Sequence, residues 1–218
     1  MSRKSWTILG VFVVLAAAAA WYFLHSIGGM PGAASSTAAI YEPLPTDHTQ
    51  GNAKAQVTVI EYASPTCPVC ANFMINYYPK LKSDYIDTGK IFYVYRTFLR
   101  LADDAMAEKL ARCMPKDKYM EFTHTLYREQ ARWDYEFGIP QPAGVHAALI
   151  QLAQEAGMSA PDAEACIASP TDEAAISKVG EDGVAKYKVA ATPTFVVNGE
   201  SESGFANLFS RIDTALAK

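Results

Sequence analysis

Cys67-Pro68-Val69-Cys70 is the stretch best equipped to do chemistry in this chain. Two cysteines three apart suit a dithiol that opens and closes as a disulfide, or one half of a metal site. The flanking sequence bears on the choice. Val57-Thr58-Val59-Ile60-Glu61-Tyr62 is rich in β-branched residues and reads as a buried strand, while residues 71–78 read as a helix. The pair therefore falls where a strand turns into a helix. Free N–H groups and the positive end of that helix favour an anion on Cys67. A thiolate there has a lowered pKa and attacks disulfides. Cys70 lies one turn further on, near enough to close a small ring with Cys67. Position thus makes Cys67 the attacking, exposed thiol and Cys70 the buried one. A four-thiolate zinc site needs two more ligands, usually a second close pair. Cys113 and Cys166 stand alone instead, with no histidine at ligand spacing. The reading is a redox dithiol, with a structural disulfide or a metal site as alternatives. No metal and no cofactor are expected.

Glu61 lies six residues before Cys67, and strand alternation places it on one face with Val57 and Val59. An acid among apolar strand residues is costly to bury as an anion. It is either an edge residue turned to water or a buried carboxyl beneath the cysteines.

The elements around this core follow in order. Pro79 should kink or break the helix after Cys70. A turn at Thr88-Gly89-Lys90 leads to a strand, Ile91-Phe92-Tyr93-Val94-Tyr95, and the βαβ unit makes the two strands parallel. Residues 102–180 carry helical periodicity, with helices expected over 102–114, 117–132, 143–156, 160–168 and 172–187. An all-helical block between two β-containing parts reads as an inserted domain. His124 and His146 within it read as packed or half-exposed helix residues. Cys113 and Cys166 also fall there. Two exported thiols either bridge, for about 4 kcal/mol of loop-closure entropy, or stay as buried free thiols. Thr194-Phe195-Val196-Val197 is a strand, Asn198-Gly199 a hairpin turn, and residues 205–217 a closing amphipathic helix.

The composition is that of an ordinary globular chain, half hydrophobic with net charge −4, which argues against nucleic acid as a partner. Residues 6–24 carry no charge and follow Arg3 and Lys4. Nineteen residues of helix reach about 28 Å, close to a hydrocarbon core of about 30 Å. This reads as an uncleaved signal anchor, with a cleaved signal peptide or a buried core helix as alternatives. The first two export the domain, to a compartment where disulfides persist. The Gly/Pro/Ser-rich stretch that follows reads as a flexible tether with His48 as a solvated residue. The expected organisation is a signal anchor or signal peptide over 1–25, a tether over 26–54, a first α/β part over 55–101, a helical domain over 102–180 and a second α/β part over 181–218.

Residues 57–70, together with Ala191-Thr192-Pro193-Thr194-Phe195-Val196-Val197-Asn198-Gly199, resemble the DsbA family of extracytoplasmic thiol–disulfide oxidoreductases. The resemblance extends over about residues 45–217. It implies an α/β thioredoxin-like fold with an inserted all-helical domain. It also implies a cis Thr192-Pro193 bond lying against the cysteines, with the Thr192 backbone free to pair with an extended substrate chain. Thioredoxin-like proteins carry an acid at the spacing of Glu61, which implies that it exchanges a proton with Cys70. Some relatives have a second disulfide, which favours the Cys113–Cys166 bridge. One departure is Val69, where the best-known members carry histidine. By resemblance the chain is a periplasmic monomer that introduces disulfides into exported proteins with cysteine thiols. A quinone-linked membrane partner would reoxidise it. A reductase or isomerase of the same fold, and a membrane-tethered chaperone with structural cysteines, are the competing readings.

Overall fold

The computed structural model describes residues 41–134, 136, 142–170 and 173–218. The apolar run over 6–24 and the tether up to residue 40 lie outside them. Among the described residues no helix is long and apolar enough to cross a membrane.

A five-stranded sheet forms the centre. Its strands are β1 (His48–Gly51), β2 (Val57–Ala63), β3 (Ile91–Thr97), β4 (Thr194–Val197) and β5 (Glu200–Ser203), in the order β1-β3-β2-β4-β5. β2 and β3 run parallel, from Val57 opposite Ile91 to Ala63 opposite Thr97. The other three pairings are antiparallel. β4 and β5 join through Asn198 and Gly199, both at positive φ (46° and 89°), as a tight hairpin turn requires. The edge strand β5, Glu-Ser-Glu-Ser, is mostly exposed, and its charges discourage edge pairing.

The tether does not run to residue 54, because His48–Gly51 is the other edge strand, paired with Phe92 to Tyr95. His-Thr-Gln-Gly has no apolar alternation of its own, so only its partner β3 makes it a strand. His48 is accordingly not a solvated tether residue. It stacks on Tyr119, and burial, aided by the charge of Arg112, lowers its pKa to about 4.

The two sheet faces bury different sets, as a period of two dictates. Val57, Val59, Tyr93, Tyr95, Phe195 and Val197 share one cluster with Cys67, Cys70 and Phe73. Ile60, Tyr62, Val94 and Val196 share the other with Val179 and Val189. Phe73, Tyr93, Tyr95 and Phe195 are completely buried, and rings of this size each contribute about 1.5–3 kcal/mol.

Helix α1 (Pro68–Asn76) follows β2 directly, with Pro68 in its first turn, where the missing N–H costs nothing. The break expected at Pro79 comes two residues earlier, at Tyr77 (φ −120°, ψ −33°). Proline cannot donate to a carbonyl in the preceding turn, and its ring crowds that turn. It sits instead in the first turn of a short helix, α2 (Tyr78–Leu81), which runs into one wide π-turn, Lys82–Ile86.

Between β3 and β4 come α3 (Ala102–Cys113), α4 (Tyr119–Arg128), α5 (Gln130–Trp133), α6 (Pro142–Glu155), α7 (Ala160–Ala168) and α8 (Glu173–Tyr187); α9 (Leu208–Leu216) closes the chain. The helix expected over 117–132 is split at Glu129 (φ −102°, ψ 14°), and Gln130 just after the break reaches the carbonyls of Pro65 and Cys67. Cys113 and Cys166 form a disulfide, Cα atoms 6.3 Å apart, that ties α3 to α7. α8 covers the second face. It approaches closely because Gly183 has no Cβ; one would meet the Tyr62 ring at 2.7 Å. His124 lies edge-on to Tyr78, and His146 faces Glu164 at 3.1 Å.

Candidate active site

Cys67 is the N-cap residue of α1. Its extended backbone (φ −82°, ψ 117°) points the sulfur back over the first turn, where it accepts from the Cys70 N–H at 3.4 Å. On its other side Cys67 Sγ lies 3.3 Å from the Thr192 carbonyl. The Thr192–Pro193 bond is cis, and Pro193 is buried. Cys67 is the less buried thiol but hardly an exposed one: 4 % of it is accessible, against none of Cys70. The loop carrying Thr192 closes over it, which no local pattern in the sequence foretells.

The two thiols differ sharply. Donation by the Cys70 thiol, helped by Thr192 and by the N–H groups of Cys70 and Val69, outweighs burial and brings Cys67 down to about 5. Burial, and then the neighbouring Cys67 and Glu61, push Cys70 well above its usual range. At neutral pH the site holds one thiolate and one thiol.

Glu61 lies on the same sheet face, completely buried, so the water-facing alternative is excluded. Tyr93 O–H donates to its Oε2 at 2.5 Å, and Oε1 has no hydrogen-bond partner. Burial raises its pKa to about 8; the Tyr93 hydrogen bond opposes this and the Cys67 charge adds to it. Glu61 is therefore mostly a neutral acid at pH 7.

Two further residues hold the loop between β2 and α1, and the motif reading missed both. Asp104 Oδ1 accepts from Ser64 Oγ and Thr66 N, each at 2.8 Å, while its Oδ2 accepts from the Arg100 and Leu101 N–H groups. Gln130 Nε2 donates to the carbonyls of Pro65 (2.6 Å) and Cys67 (3.2 Å). Asp104 carries one local signal, an acid in the first turn of a helix. Gln130 carries none, since its partners are 63 and 65 residues away.

Outside the dithiol the surface is apolar. Val69 is 48 % exposed, and Tyr77 packs against Phe205 with ring centres 4.7 Å apart. No group of three or more His, Cys, Asp or Glu side chains among the described residues is placed to hold a metal ion.

A sheet of this order, with an N-capping cysteine at the C-terminal end of its central parallel strand, defines a thioredoxin-fold protein. The family model described as Thioredoxin matches residues 44–209. A Rickettsia typhi protein named as a protein-disulfide oxidoreductase is 32 % identical over 180 residues; the match takes in 78 % of this chain and 62 % of that one. The chain thus spans about three fifths of that relative's length. Disulfide bond formation protein D of Bacillus subtilis is 27 % identical over 165 residues, 72 % of this chain and 70 % of that one. The crystal structure of Wolbachia pipientis alpha-DsbA1 superposes with a TM-score of 0.72 at 25 % identity, covering 84 % of this chain and 96 % of that one. The chain belongs to the DsbA family of thiol–disulfide oxidoreductases within the thioredoxin-like proteins.

Proposed function

We propose that the chain is an extracytoplasmic oxidase that passes a Cys67–Cys70 disulfide to exported proteins. The observation that carries this reading is the inequality of the two thiols: Cys67 is stabilised as a thiolate, Cys70 is held as a buried thiol. A stabilised Cys67 thiolate favours the reduced dithiol, which makes the disulfide an oxidant. A substrate thiolate attacks Cys67 Sγ and expels the Cys70 sulfur, giving a mixed disulfide. A second substrate thiol resolves it, and the protein leaves reduced. Glu61 supplies the proton that Cys70 needs as it leaves. The exposed Val69 and Tyr77, with the half-buried Phe205 against Tyr77, offer an apolar landing for an unfolded chain, and Thr192 and Pro193 offer a backbone edge beside the sulfur.

The rest of the proposal follows from family membership. Residues 102–180 form a domain inserted between two thioredoxin-like parts, the first running from β1 to residue 101 and the second spanning 181–218. Residues 1–25 anchor the chain in, or direct it across, the inner membrane, and a quinone-linked membrane partner reoxidises the monomer. Cys113–Cys166 is structural.

Titration of the Cys67–Cys70 couple against glutathione tests the direction. The Val69 side chain can donate nothing to the thiolate. Loss of one charge-assisted hydrogen bond, about 1.5–3 kcal/mol, lowers the potential by roughly 30–60 mV relative to members with histidine there. The expected value is roughly −150 to −180 mV, between DsbA and thioredoxin. A value below about −240 mV would move the protein to the reductase reading. Val69→His should raise the potential, and no rise would clear Val69 of responsibility. Cys70→Ala should accumulate mixed disulfides with substrates while Cys67→Ala does not; equal trapping by both would overturn the roles given to the two sulfurs.

A further inference from the structure

We infer that Tyr93 is the positioning residue of the proton relay: by holding Oε2 of Glu61 it reserves Oε1 as the atom that exchanges a proton with Cys70. This rests on the reading of Glu61 as the proton carrier of an oxidase.

An ionised carboxylate offers about four acceptor positions. Completely buried Glu61 fills one, at Oε2, with the Tyr93 hydroxyl 2.5 Å away. The groups that act on it come from three sides. Tyr93 and Tyr95 lie on β3, Cys67, Cys70 and Tyr78 on the segment after β2, and Tyr127 on α4. None of these is a cation. No other hydroxyl bonds to Glu61: Oε1 has no partner, Tyr95 and Tyr127 share one hydrogen bond at 2.8 Å, and Tyr78 donates to Gln50. Tyr93 itself stays protonated, since burial and then the Glu61 charge hold its hydroxyl well above the usual range. Its single proton is committed to Oε2, which leaves Oε1 buried and without a partner.

A substrate thiolate forms a bond to Cys67 Sγ. The Cys67–Cys70 bond breaks, and its electron pair leaves on Cys70. Cys70 takes the proton from Oε1 of neutral Glu61. The new carboxylate is stabilised by the Tyr93 O–H and regains its proton from solvent. The second substrate thiol gives its proton to solvent and, as a thiolate, forms the substrate disulfide and displaces Cys67 as a thiolate. In all, two electrons pass from the substrate dithiol to the Cys67–Cys70 pair.

The test is a carboxyl titration by NMR, with ¹³C-labelled glutamate in the reduced, full-length protein. Tyr93→Phe removes the donor to the anion, so the Glu61 midpoint should rise by about one pH unit or more, as loss of a charge-assisted hydrogen bond implies. The alkaline limb of the rate of disulfide transfer to a dithiol peptide should move up with it. In a Glu61→Gln background, Tyr93→Phe should leave that pH profile where it was. 3-Fluorotyrosine placed at position 93 keeps the ring and makes the hydroxyl a stronger donor, so the midpoint should fall; this variant decides the matter if Tyr93→Phe does not fold. A Glu61 midpoint that stays put or moves the other way would overturn the inference. If the wild-type protein transfers no disulfide to the peptide, the oxidase reading fails instead, and the carboxyl titration still decides whether Tyr93 governs Glu61.

Discussion

Strands β2 and β3 bury a charged residue on each face of the sheet, and the protein treats the two in opposite ways. On the face away from the cysteines, Arg96 is 2 % exposed and fully engaged. Its guanidinium donates to both oxygens of Asp47 (2.6 and 3.0 Å), to the Tyr62 hydroxyl (2.7 Å) and to the Glu42 carbonyl (2.8 Å). On the cysteine face, Glu61 has one donor and an idle oxygen. Burying a charge is tolerable when every polar atom finds a partner; leaving one unfilled costs free energy. Arg96 thus joins the segment around Glu42–Asp47 to the sheet. Glu61 lacks such partners, and that lack keeps it neutral and able to trade a proton. A satisfied buried ion holds structure, while an unsatisfied one is available for chemistry.

The strongest way to break this comparison is on the Arg96 side. Arg96→Leu should lower the unfolding free energy by about 3–5 kcal/mol, read from denaturant midpoints, because it strands the Asp47 carboxylate. Arg96→Leu with Asp47→Leu should recover most of the loss. A drop below about 1 kcal/mol for the single variant would show that the pair is not what holds this face.

Glu61→Leu should do the reverse. Stability should hold or rise while exchange with a dithiol peptide slows by about 10²-fold or more at neutral pH. Unchanged exchange with lower stability would make Glu61 structural.

pH separates the two site groups by sign. The Glu61 pKa is raised to about 8, so its contribution to stability is full below the unfolded carboxyl value and is lost as pH rises through about 8. The Cys67 pKa is lowered to about 5, so its contribution is present above the usual thiol range and is lost as pH falls through about 5. The two slopes overlap with opposite sign between about pH 5 and pH 8, so the unfolding free energy of the reduced protein should change little there, and removing one group should uncover the slope of the other. Glu61→Leu should remove only the alkaline loss, and oxidation to the Cys67–Cys70 disulfide only the acid one.

Gln130→Ala should have the smallest effect, a loss of about 1–2 kcal/mol in thermal or denaturant unfolding. The buried carbonyls of Pro65 and Cys67 would lose their side-chain donor. A loss under about 0.5 kcal/mol would mean that Asp104 alone holds the loop.

Periodic and contiguous features were legible in the sequence. The alternating run around Val59 became β2, the Asn198-Gly199 pair turned the hairpin, and the cysteine spacing placed Cys67 at the start of a helix. Features without a local pattern were misread or missed. His48–Gly51 looked like tether because its strand character comes wholly from pairing with β3. Helix 117–132 was read straight through Glu129, where the break turns Gln130 into the site.

What the sequence determined by itself is therefore local: which residues start a helix, which alternate on a strand, which turn, and hence that a dithiol sits at a helix N-terminus with an acid upstream. Short-range sterics and hydrogen bonding settle these within a few residues. Only the tertiary structure decided the state of the site's groups. Protonation depends on burial and on partners brought from afar: Tyr93 comes from 32 residues past Glu61, and Thr192 from 125 past Cys67. A carboxyl six residues before a cysteine can be an exposed anion or a buried acid. The choice belongs to the sheet that encloses it, because desolvation acts through every neighbour in space and not through the order of the chain.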